Sequence, residues 1–163
     1  MPLIRDGAFV EDRFFFVPDG KAYPEDNGVI VTLARFQGER ETLFAHHSPV
    51  GVRLASNENP QVLKADLSRL AAVALEFPKF RDGRAFSWAR MLRTRYDYRG
   101  EIRAVGDFLI DQLAFMARVG FDAFEVRQDF RLDDFRKAMG EITAPYQPAA
   151  DGRKTIRELR ASR

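Results

Sequence analysis

Five short apolar runs begin near Val29, Val50, Ala71, Glu101 and Phe121, at spacings of 21, 21, 30 and 20 residues. Each run has the length of a strand, and the stretches between them carry apolar residues at helical spacing. A chain that alternates strand and helix in this way builds parallel β-α-β units with right-handed crossovers. The α/β class follows, with about five units in a mainly parallel sheet. An open three-layer sheet accommodates them. A partial (βα) barrel is the alternative, because periodicity along a chain does not say whether the sheet curls. In both, binding sites lie beyond the C-terminal ends of the strands.

Residues 1–28 read as a short β prelude, with a strand over 13–17 and a turn at Pro18-Asp19-Gly20. Strands are then expected over 29–34, 50–55, 71–77, 101–105 and 121–127. Helical spacing marks 39–47, then 60–70 through Val62, Leu63, Leu67 and Leu70. A helix over 86–96 carries Trp88, Met91, Leu92 and Tyr96, with Ser87 as its N-cap. The next, over 107–119, buries Ile110, Leu113 and Met116 and closes at Gly120. Leu132, Phe135, Met139 and Ile142 mark the last. Pro145, Pro148 and Gly152 end the packed region, which gives one domain over 1–146 and a basic, flexible tail over 147–163.

Composition removes several function classes. There is no cysteine, which excludes a disulfide framework, a thiol nucleophile and Cys-ligated iron–sulfur clusters. The two histidines, His46 and His47, are adjacent, so on a helix they point about 100° apart and do not chelate together. No metal site is expected. No apolar run reaches the roughly 18–20 residues of a membrane helix. The start lacks a charged-then-apolar leader, and a cytoplasmic location is the expectation. Net charge is +2, but residues 76–107 carry +3 and residues 151–163 another +3. Positive charge is therefore local, not the broad stripe of a nucleic-acid-binding surface. GxGxxG, a Walker-type lysine loop and GxSxG are all missing, so no cofactor is indicated.

The one long interval holds residues 77–93, FPKFRDGRAFSWARMLR, about nine residues more than its siblings need. A connection that grows where the others stay short is where binding is expected. Glu76, Arg81, Asp82 and Arg84 should gather at the C-terminal sheet edge, with Arg103 and Asp107 from the next strand end. Asp111 and Gln112 follow one turn into the next helix. One reading is an oxyanion or partner site. Arg84 and Arg103 supply planar donor forks, Arg81, Ser87 and Gln112 flank them, and Asp82, Asp107, Asp111 or Glu76 orient them or move protons. Donors in the first turn after Ser87 would add to it. The other reading is a buried Arg–Asp network that fixes the loop to the sheet. Arg90, Arg93 and Arg95 read as a solvated helix face.

Three blocks in order, FPKFRDGRAFSWARMLR at 77–93, GEIRAVGDFLIDQL at 100–113 and RVGFDAF at 118–124, carry a resemblance. They resemble a bacterial family, domain of unknown function 934, whose members are often labelled oxidoreductases of sulfite reduction. Ala85 departs from the family's usual Gly, and Asp97 also departs from the pattern. The resemblance implies a place in assimilatory sulfur metabolism, with sulfite reductase or its electron donor as partner. It places shared polar positions on Asp82, Arg84, Arg103 and Asp111. An accessory protein of sulfite reduction is the first expectation. A stand-alone small-anion-binding α/β enzyme and a purely structural module, homo-oligomeric or not, are the alternatives.

Overall fold

The computed structural model describes residues 1–46, 49–140, 149, 151–152 and 156–161. The readings made for His47, Ile142, Pro145 and Pro148 fall outside these residues.

The chain opens with β1 (Leu3–Arg5) and β2 (Ala8–Val10), an antiparallel hairpin. Its turn is Asp6-Gly7, both at positive φ (53° and 75°), the backbone that a tight hairpin with right-handed strand twist requires. β3 (Phe14–Phe16) and β4 (Gly28–Thr32) follow. Helix α1 (Leu33–His46) starts directly after β4, because the Thr32 hydroxyl accepts the Arg35 N–H at 3.2 Å. The helix expected over 39–47 is therefore only the second half of α1, beyond a kink at Glu39.

β5 (Val50–Leu54) leads to a 3-10 turn, Pro60–Leu63, in which Leu63 is buried and Val62 is exposed rather than packed. β6 (Ala72–Phe77), α2 (Arg84–Thr94) and β7 (Glu101–Gly106) come next. A second 3-10 turn, Ile110–Gln112, precedes α3 (Leu113–Val119), so Ile110 stands in solvent instead of on the helix's buried side. β8 (Ala123–Glu125), α4 (Leu132–Gly140) and α5 (Ile156–Ala161) complete the described elements.

The strands form one sheet in the order β2-β1-β8-β7-β6-β5-β4-β3, parallel from β3 to β8 and antiparallel at β1 and β2. From β3 to β8 each strand lies beside its predecessor in sequence, so the order never reverses. With right-handed crossovers this puts α1 to α3 on one face, and α4 joins them there through Phe135 against Phe124. Only residues 11–13 join β2 to β3, yet these strands are the two ends of the sheet. Laid flat, seven strand spacings would separate them by roughly 33 Å. Four Cα steps reach at most about 14 Å. The sheet must curl, and of the two arrangements the sequence left open, the chain adopts the partial barrel.

Alternation along the strands then separates two cores. Val29, Val31, Val52, Leu75, Phe77, Ile102 and Phe124 point outward and pack against the helices. Ile30, Ala72, Ala74 and Val105 point inward with Phe14. Gly51 belongs to the same inner face, where a Cβ would lie 3.0 Å from the Ala72 carbonyl oxygen. Among these small inner residues stand Arg53, Glu76, Glu101, Arg103 and Glu125, charged groups on the inward alternation of β5 to β8.

Candidate functional site

Arg103 lies on the third position of β7, inside the barrel and only 1% exposed, not at the strand end. Its guanidinium meets Asp12 through a two-pronged fork of 2.7 and 2.8 Å. It also donates to Glu101 at 2.7 Å and to Glu125 at 3.3 Å, and the Phe14 ring sits 5.4 Å away. Glu101 is shared with Arg5 at 3.2 Å. Burial works against the charge, but the bonds to Asp12 and Glu101 outweigh it and hold the Arg103 pKa above its ordinary value. This is an interior pillar. It clasps the short connector between β2 and β3, and its donor fork is already filled.

The long connection after β6 is held by a second network. Asp82 accepts from the Arg84 backbone N–H at 3.2 Å, from Arg84 Nε at 2.9 Å and from Nη2 at 2.6 Å. Arg84 Nη2 also reaches Ser56 Oγ at 2.8 Å, while Trp88 donates to the Ser56 carbonyl at 3.0 Å. Hydrogen bonds from Arg84 hold the Asp82 carboxyl far below the usual range, which makes it a poor proton acceptor. The reciprocal bonds raise Arg84. Helix α2 therefore begins at Arg84, and Ser87 is an exposed residue inside its first turn, not the N-cap. Asp82 and the Gly83 carbonyl already engage the N–H groups of Arg84 and Phe86.

A third network was not anticipated. Arg93, read from sequence as part of a solvated face, turns inward with 18% of its side chain exposed. It donates to the carbonyls of Gly120 (3.0 Å), Tyr98 (2.7 Å) and Gly100 (2.7 Å), and to Asp122 at 2.7 Å. Asp122 in turn accepts the Ile102 N–H at 2.8 Å; burial raises its pKa in spite of Arg93. Gly120 has φ +120° and lies so close that a Cβ would sit 2.4 Å from Arg93 Cγ. The Gly100-Glu101, Arg103 and Gly120-Phe121-Asp122 blocks thus explain themselves as braces of β7 and β8. The spacing of Glu101, Arg103 and Glu125 on one strand face was the available signal for the interior part.

What remains at the C-terminal rim is of a different character. Arg53 and Glu76 pair at 3.1 Å in the barrel mouth, with Phe16 4.9 Å from Arg53. The Asp107 N–H donates to the Phe77 carbonyl at 2.7 Å, and its side chain is exposed. Gln112 ties two connections together: it accepts the Leu109 N–H at 2.9 Å and donates to the Phe80 carbonyl at 3.0 Å. Arg81 is exposed and lies 5.3 Å from the Phe80 ring. Phe80, Leu109, Ile110 and Phe115 are 38–46% exposed, and Phe115 rests on Phe86 with ring centroids 5.2 Å apart. They make an apolar rim where the long connection meets residues 107–115. Beside it, a cleft of about 690 Å³ opens at the ends of β7 and β8. Asp107, Asp111, Glu125, Asp129 and Asp134 line it against Arg127 and Lys137, so it carries an excess of negative charge.

Of the residues expected to gather, Asp82 and Arg84 are joined directly, Gln112 bridges to their loop, and Asp107 and Asp111 share the cleft. Arg103 stands apart from them. Among the described residues no group of His, Asp or Glu converges as a metal site, and no helix is long and apolar enough to cross a membrane.

These features define an α/β partial barrel with exposed apolar side chains at its C-terminal rim. The chain belongs to a family of bacterial proteins of unknown function, DUF934, whose family model matches residues 51–157. No curated protein and no solved structure matches it.

Proposed function

We propose that this chain is an accessory protein of sulfite reduction that docks on sulfite reductase or its electron donor through the rim formed by residues 78–83 and 107–115. The observation that carries the reading is a contrast in satisfaction. The arginines expected to hold an oxyanion are engaged, Arg84 by Asp82 and Ser56 and Arg103 by three carboxylates. The large side chains Phe80, Leu109, Ile110 and Phe115, by contrast, are left in water on one side of the molecule. Contiguous exposed apolar surface of this kind marks interaction sites, and aromatic anchors supply much of the binding energy at interfaces.

The test is retention of native sulfite reductase on the immobilised protein. The wild type retains the enzyme at low salt, and the apolar part of the contact is not screened as salt rises. Ile110→Asp with Phe115→Asp loses it without loss of fold. No retention at low salt would remove the partner reading.

A further inference from the structure

We infer that the cleft at the ends of β7 and β8 receives a basic, extended peptide segment of the docking partner; this rests on the docking reading of the adjoining rim. The cleft has the volume of a built recognition site, about 690 Å³. Its lining is mixed: Phe108, Leu109, Ile110, Val126, Phe130 and Ala138 stand among the charged residues. Leu109 and Ile110 also belong to the exposed rim, so groove and rim are one continuous surface. Glu125 and Asp129 are engaged by Arg103 and Arg127, but Asp107, Asp111 and Asp134 have no ion-pair partner among the described residues.

Their arrangement selects the partner. The carboxylates do not converge as a metal cage, and their sign repels an oxyanion. Spaced carboxylates in a partly apolar groove complement a chain that alternates basic and apolar side chains. Phe108 and Phe130 also line the cleft, where the stem of an arginine would pack.

Fluorescence anisotropy with two labelled peptides, one alternating arginine with leucine and one alternating glutamate with leucine, tests this. The arginine peptide binds, the glutamate peptide does not, and rising salt weakens the complex. Asp111→Asn with Asp134→Asn, with its circular dichroism unchanged, weakens binding about tenfold. Equal binding of both peptides, indifference to the double substitution, or binding of spermidine but of neither peptide would each overturn the inference. The titration needs no reductase, which keeps the two readings separable. Peptide failure with the reductase still retained removes the cleft assignment alone. Peptide binding without reductase retention removes only the sulfite-reduction partner.

Discussion

Replacing Arg103 with methionine isolates the interior pillar. Methionine fills a similar length of space, so the change removes charge and donors with little loss of packing. Three carboxylates, Asp12, Glu101 and Glu125, then lose the guanidinium that serves them all, and Arg5 reaches only Glu101. Removing one partner from a buried ion pair costs about 3–5 kcal/mol, because the remaining charge is stranded away from water. With a urea dependence of about 2 kcal/mol per molar, the unfolding midpoint should fall by about 1.5–2.5 M. Asp12→Asn should cost less, since Glu101 and Glu125 still hold Arg103. The double variant should fall well short of the sum of the two, because both break the same fork. A midpoint loss for Arg103→Met below about 0.5 M would be the scale of a surface pair. It would refute the claim that this residue clasps the β2–β3 connector.

The other expectations concern the braces and the acid–base behaviour. Gly106→Ala should destabilise by at least about 1–3 kcal/mol from backbone strain alone, since Gly106 has φ +98° and a Cβ would lie 2.3 Å from the Phe77 carbonyl oxygen; thermal unfolding reads it. Arg93→Ala should cost about 2–3 kcal/mol in the same assay, because three carbonyls and Asp122 lose their donor together. Asp82, lowered by Arg84, contributes stability present above its unfolded pKa and lost as pH falls toward its folded one. Asp122, raised by burial, works oppositely: its contribution is present below its unfolded pKa and lost as pH rises through the folded value. Asp82→Asn should therefore flatten the acid limb of the stability profile and Asp122→Asn should steepen it. Tyr23, pushed up to about 12 by burial and its hydrogen bond to Glu39, should titrate at that value by absorbance, with stability declining between its unfolded pKa near 10 and about 12.

The five strands were legible because each alternates or runs apolar over a few residues, a purely local signal. Curling was not, because it depends on where β3 pairs, and three residues of connector reveal nothing until both of its ends are placed. The same limit hid the pillar: Asp12 and Arg103 are 91 positions apart, and neither has a local reason to seek the other. Ser87 was misplaced as a cap because Ser is a good N-cap by type, whereas Asp82 starts the helix earlier by accepting the Arg84 N–H. Arg93 read as solvated because its acceptors are mostly backbone carbonyls, which carry no sequence signature. The placement of the long connection was better conveyed. The long connection does reach the rim, and Gln112 joins it to residues 107–112. The partners of Arg84 and Arg103 were not legible, nor was the exposed apolar rim beside an acidic cleft.

Hydrogen exchange of the full chain, with and without saturating sulfite reductase, tests the docking claim most directly. The account predicts slowed exchange at residues 79–83 and 107–115, reaching no further than the adjoining cleft walls over 125–138, with the Arg93 brace at the opposite ends of β7 and β8 unaffected. Unchanged exchange across the rim, or protection centred on the brace instead, would contradict it.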